Sequence, residues 1–190
     1  MEAGWVGGLE RRRPRGRFSG RATRLGAAIL VACACALPWL WVLLGSYRTV
    51  VEVVGSGTDK VLFCAEMEEG EEFTLSFVHS VNRRPVHDTL RVARDHLVVV
   101  RSKYDSFGAG MPESSGAEGH LSWDDDGWMV WTVNRPIPAL DLFVGREAMH
   151  SVSIRGVEKA LAELVEPGTS ISIRTTSRSR VERWKRSCLK

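Results

Sequence analysis

The hydrophobic positions of the chain fall into two regimes that change near residue 46. Residues 25–45, LGAAILVACACALPWLWVLLG, run for 21 positions without a charge. At about 1.5 Å of rise per residue, a helix of that length matches a hydrocarbon core of roughly 30 Å. The pattern predicts one transmembrane helix over 25–45. Trp39 and Trp41 suit an aromatic belt at its outer end, and Pro38, which would kink a helix in water, is tolerated in lipid.

Beyond the run, short segments rich in Val, Ile, Thr and Phe predict strands over 48–54, 60–66, 72–79, 85–92, 97–103, 128–133, 138–144, 149–154 and 169–175. TLSFV at 74–78 and SISI at 170–173 alternate with period two, so those strands bury one face. Gly55-Ser56-Gly57, Asp126-Gly127 and Pro167-Gly168 mark turns. The expected fold is mainly β: an antiparallel β-sandwich or barrel-like domain preceded by one transmembrane helix. Residues 157–165 have helical spacing and predict a short helix or a structured loop. The stretch 106–121, SFGAGMPESSGAEGHL, holds almost no β-forming residue, and such a long segment in a compact domain is either functional or mobile.

Charge orients the chain and divides it. Residues 1–24 carry seven arginines against Glu2 and Glu10, while Arg48 is the sole basic residue between the hydrophobic run and Lys60. By the positive-inside rule the N-terminus stays cytoplasmic and residues 46–190 are exported. The expected organisation is a basic cytoplasmic arm (1–24), a transmembrane helix (25–45), a β-rich extracytoplasmic domain (46–176) and a basic tail (177–190). The basic arm beside a spanning helix reads as a topology signal rather than a nucleic-acid patch. The tail, RTTSRSRVERWKRSCLK from Arg174, is open to two readings: a loose solubilising end, which is favoured, or a segment lying on anionic headgroups with Trp184 as a wedge.

Two processing signals compete with an uncleaved anchor. Ala32-Cys33-Ala34 and Ala34-Cys35-Ala36 resemble cleavage sites, and Leu30-Val31-Ala32-Cys33 resembles a lipoprotein box with Cys33 lipidated. The length of the run favours the anchor. Outside it, Cys64 and Cys188 are open to pairing in an oxidising compartment, although Cys188 sits in the tail read as loose.

The candidate chemistry is thin. His79, His87, His96 and His120 crowd one part of the domain without a metal-ligand spacing, so no metal is expected. Ser80 and Ser106 are candidate nucleophiles with a histidine base, but neither lies in a GxSxG elbow. Gly108-Ala109-Gly110-Met111-Pro112 has Glu113 where a dinucleotide fingerprint needs its third glycine, and no cofactor is expected. Its glycines are open to two readings, an anion nest near Arg83, Arg84 and Arg101, or a tight bend. Ser122 to Gly127 has Val133 where a calcium loop needs glutamate, so an acidic hairpin turn is expected.

FTLSFVHSVNRRPVHDTLRV (73–92), SKYDSFGAGMP (102–112) and DGWMV (126–130) together resemble a bacterial family, domain of unknown function number eighteen-fifty. In that family an acidic residue commonly follows HSV; here Asn82 stands there, and His87 replaces a second acidic position. The resemblance implies a small anchored or exported protein encoded beside tripartite ATP-independent periplasmic transporters of the TAXI type. The leading expectation is therefore a non-enzymatic accessory protein of the cytoplasmic membrane. Its partners would be transporter membrane subunits or a solute receptor. The alternatives are a small-ligand or anion-binding domain, and a hydrolase using Ser80 or Ser106. The candidate binding set is His79, Ser80, Arg84, Ser106, Gly108, Gly110 and Pro112.

Overall fold

The structure, a computed structural model, describes residues 32–41, 47–58 and 60–189. Residues 32–41 are helical and form the middle of the expected span. The rest of that span and the basic arm lie outside the described residues. Among the described residues no helix is long and apolar enough to cross a membrane.

Residues 43–190 contain a compact unit of two antiparallel sheets. The strands are β1 (Arg48–Gly55), β2 (Val61–Glu66), β3 (Glu72–Val78), β4 (Pro85–Val92), β5 (Leu97–Tyr104), β6 (His120–Trp123), β7 (Met129–Ile137), β8 (Leu140–Phe143), β9 (Ser151–Ile154), β10 (Val157–Ala160) and β11 (Ser170–Arg178). One sheet is ordered β2-β1-β11-β8 and the other β10-β9-β3-β4-β5-β7-β6. They enclose a common core in which Val51, Val53, Ile171 and Ile173 meet Phe73, Leu75, Leu90, Val92, Val152 and Ile154. Each such side chain contributes about 1.5–3 kcal/mol by leaving water. The mainly β expectation resolves to a β-sandwich.

Three local expectations change. Residues 157–165 form β10 followed by a 3-10 turn at Leu161–Glu163, not a helix. Arg155 and Gly156, both at positive φ, turn the chain so that β10 pairs with β9, and that two-residue hairpin overrides the helical spacing. The stretch 106–121 ends in β6, which pairs with β7 across the acidic turn. There Asp124 Oδ1 accepts from the N–H groups of Asp126 (3.1 Å) and Trp128 (2.9 Å).

The third change is the tail. β11 runs to Arg178, past the expected boundary, and a helix, Arg180–Arg186, follows it. Ser179 and Glu182 cap that helix reciprocally. Cys64 and Cys188 form a disulfide. The chain then adds to the edge of β2, where Glu66 N–H donates to Leu189 O (2.7 Å) and Leu189 N–H to Cys64 O (2.9 Å). This end of the chain is therefore built into the outer face of the four-stranded sheet. On that face Val50 packs with Cys64 and Cys188, and both Val50 and Glu52 are buried.

Candidate functional site

The β3–β4 connection is the six-residue turn His79–Arg84. His79 N–H donates to Arg84 O (2.9 Å), and Arg83 N–H donates to His79 O (3.0 Å). Arg83 takes φ 55°, the left-handed conformation that lets the turn close. Inside it, His79 Nδ1 accepts from the N–H groups of Val81 (3.3 Å) and Asn82 (3.5 Å). A neutral His79 ring therefore carries its proton on Nε2.

Asn82 ties this turn to the glycine-rich loop after β5. Its Oδ1 accepts from Arg84 N–H (3.1 Å), while its Nδ2 donates to Ser106 O (3.3 Å) and Phe107 O (3.0 Å). Arg84 donates to both oxygens of Asp105, with Nε at 3.0 Å from Oδ1. Further along, the hydroxyl of fully buried Tyr104 donates to Pro112 O (2.6 Å). Burial first, and Glu113 nearby second, push the Tyr104 phenol above its ordinary pKa. Met111 packs on the small cluster of Val86, Tyr104, Leu121 and Met129.

The HSV and GAGMP segments thus meet in space. A Cβ on Gly108 would lie 2.8 Å from Asn82 Nδ2 and 3.2 Å from His79 Cε1, so only glycine fits without displacing the turn. Gly108 O accepts from Met111 N–H (3.0 Å), with Gly110 at φ +81°. That is a tight bend with glycine at the position requiring positive φ.

On its other side the turn borders a pocket of about 480 Å³. His79, Ser80, Arg83, Arg146, Glu147 and Met149 contribute to its walls. The 145–149 loop is held there by Val78 N–H donating to Ala148 O (2.8 Å). Just beyond, His150 stacks near Phe77 (centroids 5.7 Å apart) with its Nδ1 buried and unpartnered. Burial lowers its pKa.

The expected binding residues therefore divide. His79 and Ser80 line the pocket. Gly108, Gly110 and Pro112 buttress the turn from behind and do not line it. Arg84 is committed to Asp105 and Arg101 pairs with Glu72 (3.2 Å), so of the three arginines grouped around an anion only Arg83 reaches the pocket. Among the described residues neither candidate nucleophile meets a histidine: Ser106 Oγ donates to Phe107 O (3.4 Å), and Ser80 stands exposed. Asn82 and Asp105 were absent from the expected set. The signal for the first of them was Asn82 itself, standing where the resemblance leads one to expect an acidic residue after HSV. A carboxylate there could accept from Arg84 N–H but could not donate to two carbonyls.

Fold and site together define a β-sandwich domain whose most elaborated feature is a turn locked by a glycine-rich loop. Residues 73–161, just under half of the chain, match the model of a family described as a domain of unknown function (DUF1850). No curated protein and no solved structure matches the chain.

Proposed function

We propose that the protein is a membrane-anchored, extracytoplasmic accessory protein that uses the His79–Arg84 turn as a recognition surface. The partner is a component of a tripartite ATP-independent periplasmic transporter of the TAXI type, its solute receptor or its membrane subunits. One observation carries the recognition reading: rigid polar chemistry holds apolar side chains out in solvent. Val81 (67% exposed) tips the turn that Asn82 locks, and Phe107 (42%) and Met149 (68%) stand on the two loops beside it. Exposed apolar groups rimmed by charge, here Arg83, Arg146 and Glu147, are the makings of a protein–protein contact. Among the described residues neither Ser80 nor Ser106 meets a histidine, and recognition is preferred to hydrolysis.

The hydrophobic run and the arginine-rich arm support the anchored, exported location, and so does the Cys64–Cys188 disulfide, since disulfides persist in oxidising compartments. The pocket supports a second reading as a small-ligand site, its volume falling within the range of such sites.

Full-length protein carrying a photo-crosslinking residue in place of Val81 should capture a transporter subunit or its solute receptor in native membranes. Asn82→Asp, which unlocks the turn, should lower that yield several-fold. Crosslinks that never contain a transporter component would sink the proposal. A small solute that raises Tm in wild type but not in Arg146→Gln would then favour the ligand reading.

A further inference from the structure

We infer that the C-terminal helix is a docking face for the anionic phospholipid headgroups of the membrane, an inference that rests on the anchored reading above. The helix presents Arg180, Val181, Trp184, Lys185 and Arg186 to solvent, with Trp184 81% exposed. Val181 and Trp184 are three apart and so neighbour each other on the helix surface. They form a small apolar tip between cations. Its opposite side is fixed. Arg183 Nε donates to Glu66 (2.7 Å) and Nη1 to Arg178 O (2.8 Å), while Cys188 is bonded to Cys64. A tryptophan so exposed buries little of its ring in this fold, and beside basic residues it is the composition that seats in a lipid interface.

The strand register says which end of the domain this is. Arg48, the first residue of β1, pairs with Arg178, the last of β11. The helix therefore leaves the sheet at the same end at which the chain enters it. Only Ser46 and Tyr47 separate Arg48 from the hydrophobic run, an extended reach of at most about 10 Å. Between the helix and the start of β1 lies a cleft of about 880 Å³, with Arg48, Arg180 and Trp184 among its walls. Cations near an anionic surface are attracted to it at about 1 kcal/mol each. The His79 turn lies at the far end of β3, on the order of 20 Å away at ~3.3 Å per residue. The helix and the turn thus lie at opposite ends of the sandwich, so that lipid at one leaves the other free for a partner.

The test places the full-length chain in nanodiscs of phosphatidylcholine alone or mixed with phosphatidylglycerol, both carrying brominated acyl chains. The Trp184 contribution is the difference in fluorescence quenching between wild type and Trp184→Phe. It should be quenched in the anionic discs and little quenched in the neutral ones. Neutralising Lys185 and Arg186 to Gln together should cut the docked-to-undocked ratio about 30-fold. Trp184 left unquenched in anionic discs by an inserted chain overturns the inference and leaves the anchored reading standing. Protection of Trp184 that appears only with a co-reconstituted protein partner also overturns it. A chain that fails to enter discs of either composition overturns both.

Discussion

On the outer face of the four-stranded sheet, the chain is tied down by charge and by a covalent bond. At the β3–β4 turn it is tied down by an amide and a bend. The first region sets fully buried Glu52 against Arg178 (Nε 2.8 Å, Nη2 3.0 Å), Glu66 against Arg183, and Cys64 against Cys188. The second spends Asn82 on two carbonyls and packs Gly108 against it, with the Arg84–Asp105 pair at its exposed rim. A buried charge fails badly when its partner is lost, whereas a neutral hydrogen bond contributes modestly and fails modestly. The first arrangement suits a permanent scaffold, and the second suits a surface whose shape can be altered without unfolding the domain.

Glu52→Ala should give the largest effect, because it strips the Arg178 guanidinium, partly buried beneath the C-terminal helix, of its buried partner and leaves it Glu182 at 3.7 Å. A loss of about 3–5 kcal/mol in unfolding free energy is expected, read from urea denaturation of the detergent-solubilised chain. Hydrogen exchange should rise along residues 178–189. A change below about 1 kcal/mol would mean that the pair is as weak as a surface ion pair, and the contrast between the regions would collapse.

The two regions also differ in how much of them the sequence disclosed. The turn and the glycine-rich loop were legible because their constraints are local. β4 begins and ends where the pattern predicts, Pro85–Val92, and Gly110 stands where a bend needs positive φ. Their meeting was not, since it depends on β4 pairing with β5 so that Val86 faces Tyr104. The C-terminal region was misread as loose because its partners are remote: Arg178 and Glu52 are 126 residues apart, and the cysteines 124. No window of sequence contains both members. β10 was misread for the opposite reason. VEKALAELV satisfies a local period, but the Arg155-Gly156 hairpin pairs its first part with β9.

Gly108→Ala tests the second region at an intermediate scale. Its methyl group would displace the Asn82 amide, at a cost of about 1–2 kcal/mol. In an Asn82→Ala background only the milder contact with His79 Cε1 (3.2 Å) remains, and the same change should cost less. A double-mutant cycle on unfolding free energies measures this coupling. Strict additivity would show that Gly108 is needed for its own backbone and not for contact with the turn.

The smallest effect concerns a second carboxylate that the two regions treat differently. Asp88 lies on the inner side of β4, opposite Leu75 on β3, and Ser102 Oγ donates to it (2.5 Å). Unlike Glu52, it has no cation hydrogen-bonded to it among the described residues. Burial pushes its pKa above the usual carboxylate range, and Ser102, His87 and Arg135 only partly offset that. A carboxyl whose folded pKa is raised stabilises the fold fully below its unfolded value, about 3.9. That contribution is lost as the pH climbs through the folded pKa. Asp88→Asn keeps an acceptor for Ser102 and removes the charge. The variant should therefore be more stable than wild type at neutral pH, by on the order of 1 kcal/mol, and the gap should close as the pH falls toward 4. Unfolding free energies of the two proteins across that range decide it. A gap of the same size at every pH would mean that Asp88 is ionised throughout, and that the interior beside the turn tolerates an unpaired charge as readily as the outer face tolerates a paired one.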